Sequence, residues 1–392
     1  MIKLTLINKV VSFLIFFVVF FRLSLLSPYV YLALIPALYG FYILLSSLVN
    51  LKQFKIKLDA STMSWGVLAV ILIVSILFDC YQDNLSVQSS FSFRIIMIFV
   101  LSFLPALALS KLLNKEKSKL ESIMILSFWL QILIFFIMYF NINAKIFLYN
   151  IFGMGDSVNL WAQNESVRGF GLSGEINFMT PFLMVFMSFF VIQKKYLLLI
   201  LVCLTQIINS NMAVVAILFA LTFSNIKLTF KIFAVLITGT VIYALGAVLF
   251  PRFYAEFVNS GGMRTISGLI AQHVISLHSL DVYSILFGFQ QNISSAIPNL
   301  AVFSDMGWVI LFNYGGVVYI ILFMLFLAFL SLAAFGKSKL ALVWFLVGVL
   351  FNIKGLAFGP NGYMFTSYLF MMLNKNLRSD GKLNQSATCV VL

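Results

Sequence analysis

The sequence predicts an all-α fold: a polytopic membrane helical bundle of about twelve transmembrane helices, with two long loops on one face of the bilayer. Three observations predict it. Hydrophobic residues make up 62% of the 392 positions, charged residues only 9%, and the mean hydropathy is +1.07, more apolar than a water-soluble domain of this length can conceal. The apolar runs are unbroken rather than alternating. In hydrocarbon only helices and closed barrels satisfy their own backbone polar groups, so unbroken runs select helices. Finally, Lys and Arg fall in short clusters between the runs, so the net charge of +13 is a topology signal and not a nucleic-acid footprint.

Allowing ~20 apolar residues per span, and fewer where a helix is short or buried, spans are expected in order along the chain. The first six fall at 9–26, 29–50, 63–80, 92–112, 121–141 and 177–193. The remainder fall at 196–209, 212–226, 230–250, 306–334, 338–356 and 361–374. The first resembles a signal peptide, with Lys3 and Lys9 ahead of an apolar stretch, but no small-residue cleavage site follows, and it reads as an uncleaved helix. The turn Asn209-Ser210-Asn211 leaves open a re-entrant hairpin in place of two full crossings.

With both termini in the cytoplasm, the Lys and Arg residues expected outside are Arg94, Lys145, Arg168, Arg252, Arg264 and Lys354, with Arg22 near a helix end; the rest of the 25 lie inside. Of the twelve acids, Asp79, Asp83, Asp156, Glu165, Glu175, Glu256, Asp281 and Asp305 lie outside. The two long segments, 142–176 and 251–305, fall on that outer face. Both are rich in aromatic and aliphatic residues, which argues against disorder and for packing on or into the membrane. Cys80, Cys203 and Cys389 are far apart and imply neither a disulfide framework nor a metal site, and no cofactor is expected.

Three constellations could carry chemistry. The run Arg168 to Glu175, R-G-F-G-L-S-G-E, combines glycines that let backbone approach a ligand with a guanidinium suited to phosphate. A flexible turn with a snorkelling arginine is the bland alternative. From Met263 onward an amphipathic helix places Met263, Ile266, Leu269, Ile270, His273, Val274 and Leu277 on one side and Arg264 opposite, either a head-group contact or a plain interfacial anchor. His273 and His278 sit on different faces of that helix, so they form no zinc pair. In the third, Ser304 to Gly316, Asp305 stands at the mouth of a span as a candidate proton acceptor or a helix cap.

Taken together, the layout and these motifs resemble the polysaccharide polymerases and O-antigen ligases that act on undecaprenyl-linked glycans. Arg168 to Glu175 resembles the family's arginine, glycine, leucine and acidic pattern, with Ile176 where a proline often follows. Trp308, Leu311 and Gly315 fit later positions of the ligase motif, but Ser304-Asp305 stands where ligases carry His-Asn, which favours the polymerase branch. The resemblance implies a metal-independent glycosyltransferase of the bacterial inner membrane, working on the periplasmic face. Undecaprenyl-pyrophosphate-linked glycans would be its substrates, and a chain-length regulator and a flippase its partners. Arg168 and Arg264 would bind pyrophosphate, Asp305 or Glu175 would orient or deprotonate the acceptor hydroxyl, and Trp161 and His278 would contact glycan. The rivals are the ligase itself and a lipid-linked oligosaccharide flippase, which should hold ionisable residues at bilayer depth.

Overall fold

The computed structural model describes residues 2–49, 58–80, 90–114, 116–153, 169–192, 195–224, 281–289, 306–353 and 355–379, and scattered residues between 227 and 254. Helix α1 (Ile2–Phe20) leads into an antiparallel ribbon, β1 (Ser24–Leu25) and β2 (Ser27–Tyr31), followed by α2 (Leu34–Val49), α3 (Ala60–Cys80), α4 (Phe91–Leu112) and α5 (Lys117–Phe140). Next come α6 (Ile142–Ile151), α7 (Met179–Phe190), α8 (Tyr196–Asn209) and α9 (Asn211–Phe223). The described chain closes with α10 (Val282–Phe287), α11 (Gly307–Phe335), α12 (Lys339–Phe351) and α13 (Gly362–Ser379). Among the described residues α3, α4, α5 and α11 are long and apolar enough to cross a membrane, and shorter apolar helices accompany them. The chain is therefore a helical membrane protein. The span expected at 230–250 lies mostly outside the described residues.

The chain forms two units. The first comprises residues Met1–Ala33, Glu116–Ser267 and Lys382–Leu392. Its centre is α7, apolar on every face, in which Met179 through Ser188 are buried and against which α8 and α9 pack. Helix α1 meets α5 through an aromatic seam, with Phe16 and Phe20 stacked at 5.0 Å and Phe20 lying 5.9 Å from Phe128.

The expected first span, 9–26, overshoots: the helix ends at Phe20, and Arg22 and Leu26 take positive φ values of 50° and 59°. Pro28 cannot continue a helix and presses Ser27 into extended backbone. The turn is also held from afar, by Ser24 Oγ donating to the Phe152 carbonyl (2.7 Å) and the Leu26 N–H donating to the Ile151 carbonyl (2.8 Å). The helix that ends at those acceptors, α6, lies inside the segment 142–176 expected as loop.

The second unit comprises Leu34–Lys115 and Gly268–Gly381, and is built around α11, which packs on α3, α10, α12 and α13. Helix α4 widens into a π-turn at Phe99–Phe103, just before Pro105. The ring of Pro105 would collide with the carbonyl one turn back and it has no N–H to give, so a wider turn relieves both problems. Trp344 is fully buried, stacks on Tyr363 at 4.7 Å and donates its indole N–H to Ser367 Oγ at 2.8 Å.

The span expected as one helix at 306–334 is interrupted. Gly316 has φ 63° and ψ −160°, so α11 runs as two helical pieces. The last turn of α10 and the residues just after it fill the break: the Phe289 N–H donates to the Asn313 carbonyl at 2.7 Å, and a Cβ on Gly316 would meet the Leu286 carbonyl oxygen at 2.3 Å. Gly316→Ala combines a left-handed strain with that collision, each costing about 1–2 kcal/mol. It should lower the melting temperature of the detergent-purified protein by about 4–8 °C, and an unchanged melting temperature would contradict the close approach.

Candidate functional site

Helix lengths place the first candidate loop. With 24 residues α5 is about 36 Å long, whereas α7, α8 and α9, with 12, 14 and 13 residues, reach only about 18–21 Å. The segment Gly169–Phe178 leads into the short α7 and runs beside α5 at Gln131, nine residues before the helix ends at Phe140, or about 14 Å along it. It is inset between helices, and Phe170, Leu172, Ser173 and Ile176 are buried.

A buried loop must find partners for its peptide groups, and here side chains provide them. Asn209 makes a closed pair with Phe170: the Phe170 N–H donates to Asn209 Oδ1 and Asn209 Nδ2 donates to the Phe170 carbonyl, both at 2.8 Å. Gln131 repeats the arrangement two residues on, with the Leu172 N–H donating to Oε1 at 3.2 Å and Nε2 donating to the Leu172 carbonyl at 3.3 Å. Both amide side chains are fully buried. Between them the Gly171 N–H points at Met138 Sδ (3.0 Å), and the Tyr149 hydroxyl donates to the Gly169 carbonyl. Gly171 has φ 116°, and a Cβ there would stand 2.6 Å from Gln131 Nε2, so only glycine fits the clamp.

At the end of the loop, Ser173 Oγ bonds Thr180 Oγ1 at 2.6 Å and accepts the Glu175 N–H at 3.0 Å. Glu175 Oε1 accepts from Arg22 Nη1 at 2.8 Å, and Arg22 Nη2 donates to the Tyr31 hydroxyl at 3.3 Å. The Glu175 side chain is 12% exposed. Burial raises its pKa; the arginine beside it pulls the other way, and the net direction is upward, toward a better proton acceptor. Lys145 on α6 is also buried, with Nζ 4.4 Å above the Phe170 ring, and burial lowers its pKa to about 8.

Of the residues expected to act, Glu175 is therefore described, joined to Arg22, Tyr31 and Ser173. Arg168, Arg264, Asp305, Trp161 and His278 lie outside the described residues. From the third constellation, Trp308 donates its backbone N–H to the Asn352 carbonyl (3.0 Å) and its indole N–H to the Val349 carbonyl (3.2 Å). Gly315 lies under Gly288, whose Cβ would be 2.7 Å from the Gly315 amide nitrogen. In the same unit Asp79, at the end of α3, accepts from the Tyr314 hydroxyl at 2.9 Å and from the Ser92 N–H at 3.1 Å. Among the described residues no three His, Cys, Asp or Glu side chains are grouped as metal ligands would be.

Gln131, Asn209, Arg22 and Lys145 are the site residues that sequence reasoning passed over. For Gln131 the available signal was an isolated amide in an apolar run, since a polar side chain at bilayer depth is retained for a partner. Fold and site define a helical integral membrane protein in which one loop is inset between helices and clamped by buried amides, with ionisable groups around it. No protein-family model, curated protein or solved structure matches the chain.

Gln131→Leu should cost about 2–4 kcal/mol, because it leaves both peptide groups of Leu172 buried without their partner. Thermal unfolding in detergent reads this, and a neutral substitution would show that the clamp does not carry the loop. A second expectation concerns pH. Lys145 titrates at about 8 in the folded chain against 10.5 for an ordinary lysine, so the unfolded state binds more protons between these values and stability climbs with pH. Buried Tyr149 is shifted upward and opposes the trend only above its ordinary value of 10. The melting temperature should rise from pH 8 to 10, and Lys145→Met should flatten that rise.

Proposed function

We propose that this protein polymerises undecaprenyl-pyrophosphate-linked oligosaccharide repeats into O-antigen or a related surface polysaccharide, as the motif resemblance implies. In this reading about twelve helices cross the bacterial inner membrane, both termini are cytoplasmic, and segments 142–176 and 251–305 face the periplasm. The observation that carries it is the clamped loop: the residues directly after Arg168 are fixed to Asn209 and Gln131 inside the helical unit. Positive charge held on such a frame stabilises a departing anion without reorganising during the reaction, and it is worth more in a low-dielectric site than in water.

In the proposed reaction a sugar hydroxyl of the incoming repeat attacks the anomeric carbon of the growing chain. A carbon–oxygen bond forms there as the bond to the pyrophosphate oxygen breaks, and that oxygen leaves with the electron pair. Arg168 and Arg264 meet the charge, while Glu175 or Asp305 takes the hydroxyl proton. The upward shift of Glu175 suits it to that task. Trp161 and His278 contact the glycan.

A flippase is the second reading, because an interrupted helix such as α11 is a transporter feature. Against it, the break is closed by the backbone around Gly288 and leaves no open half-helix ends for a substrate.

Gene deletion followed by electrophoresis of surface glycolipid separates the readings. Loss of a polymerase leaves a single repeat on the lipid core; loss of a flippase or ligase leaves none. Arg168→Lys and Arg264→Lys keep charge but lose the bidentate fork, and should each reduce polymer yield about tenfold or more at equal protein level. Full activity in both variants would remove the proposed roles.

A further inference from the structure

Helices α5 and α8 both start beside lysines, Lys117 and Lys119 on α5 and Lys195 at the N-cap of α8, which marks the same side of the bilayer for both. From Lys119 to Phe140, α5 reaches about 32 Å, the thickness of one hydrocarbon core. Gln131 stands about 18 Å along that path, and Asn209 about 21 Å along α8 from Lys195. The two residues clamp the same loop, at Leu172 and Phe170, so two separate helices put it at one level. That level is inside the lipid. Beyond Gln131, α5 still turns large apolar side chains outward: Leu133 is 57% exposed, Ile137 46% and Phe140 81%.

The chain reverses at this level. Ser210 alone separates α8 from α9, and the junction is closed to solvent, with Asn209 0% and Ser210 6% exposed. A pair of helices that crossed the bilayer would turn among head groups or in water, whereas this pair turns against protein. Ser210 Oγ donates to the Asn177 carbonyl at 2.8 Å and accepts the Met212 N–H at 3.2 Å, while Asn209 Nδ2 also reaches Gln206 Oε1 at 3.3 Å. At the other end of α9, about 20 Å away, Lys231 donates to the Ser224 carbonyl at 2.6 Å, so the chain returns to a lysine-marked end. Thinning the bilayer by about 10 Å would let such short helices cross, but α5 in the same unit presents apolar side chains over the full thickness. We propose that α8 and α9 form a re-entrant hairpin. It enters from the cytoplasmic face, turns at Ser210 within the hydrocarbon, and holds the loop Gly169–Phe178 on its tip. The expected crossings fall by two, and every other segment keeps its side. The loop of the candidate site is thereby supported from within the membrane and not from its surface, whatever reaction it serves.

The test is spin-label depth in nanodiscs, taken from the ratio of oxygen to nickel-chelate accessibility, on the full-length chain with Cys80, Cys203 and Cys389 replaced by Ala. Labels are placed singly through Met212→Cys beside the turn, and through Leu133→Cys and Phe140→Cys on α5 as the depth scale. Met212 should match Leu133 within about 3 Å and lie about 10 Å deeper than Phe140, as the helix rises require. A Met212 label as shallow as the one at Phe140 means two full crossings and overturns the hairpin. Should Met212→Cys not fold, the wild-type chain decides by photolabelling read by mass spectrometry. A phospholipid with a diazirine at the middle of its acyl chain should mark residues 208–215 as strongly as residues 126–133, and one with a diazirine on its head group should spare them. Labelling of residues 208–215 by the head-group probe, or by neither probe, overturns the hairpin. Each of these results leaves the polymerase reading to its own deletion test.

Discussion

A peptide group buried away from water must be paired, and much of what is distinctive in this protein follows from meeting that demand without a strand or helix. The segment Gly169–Phe178 enters the helical unit as irregular backbone. Gln131 and Asn209 complete its hydrogen bonds by offering one acceptor and one donor each, as a neighbouring strand would. The substitution of side-chain amides for a strand has a geometric consequence. The loop has a single register, because each amide fits one peptide unit, and Gly171 is confined to the narrow passage between them.

The same insertion accounts for the charges. Arg22 and Glu175 pair at 2.8 Å where α1 ends early, so the turn at residues 21–33 and the end of the loop fix each other. Such a pair is expensive to desolvate and contributes more to position than to net stability. With Lys145 on the opposite flank, the unit holds ionisable groups around a rigid backbone, which is an electrostatic environment a soluble surface could not maintain against screening.

The positions of the helices were legible because an apolar run long enough to cross lipid has few other uses: helices lie at the expected spans from 29–50 through 212–226 with small shifts at their ends. Where the reading erred, the cause was distant. Helix α1 stops at Phe20 within an apolar run because Ser24 and Leu26 bond residues more than a hundred positions later. The break at Gly316 sits in an unbroken apolar stretch, and it is the approach of Gly288 that requires it. In the candidate site, three glycines after Arg168 drew attention to the loop, but its clamps lie 41 and 39 residues away in sequence and carry no motif. Gln131 is a single amide inside an apolar run, and Arg22 reads only as a charge near a helix end.

Hydrogen exchange read by mass spectrometry, on the full-length protein in nanodiscs, probes the clamp most directly. The peptide spanning residues 169–178 should exchange as slowly as the neighbouring helix 179–190, since Phe170, Leu172 and Gly174 donate their amides to protein acceptors. Complete exchange of that peptide within seconds, while α7 stays protected, would mean that the loop is a surface coil and that no preorganised frame stands behind Arg168.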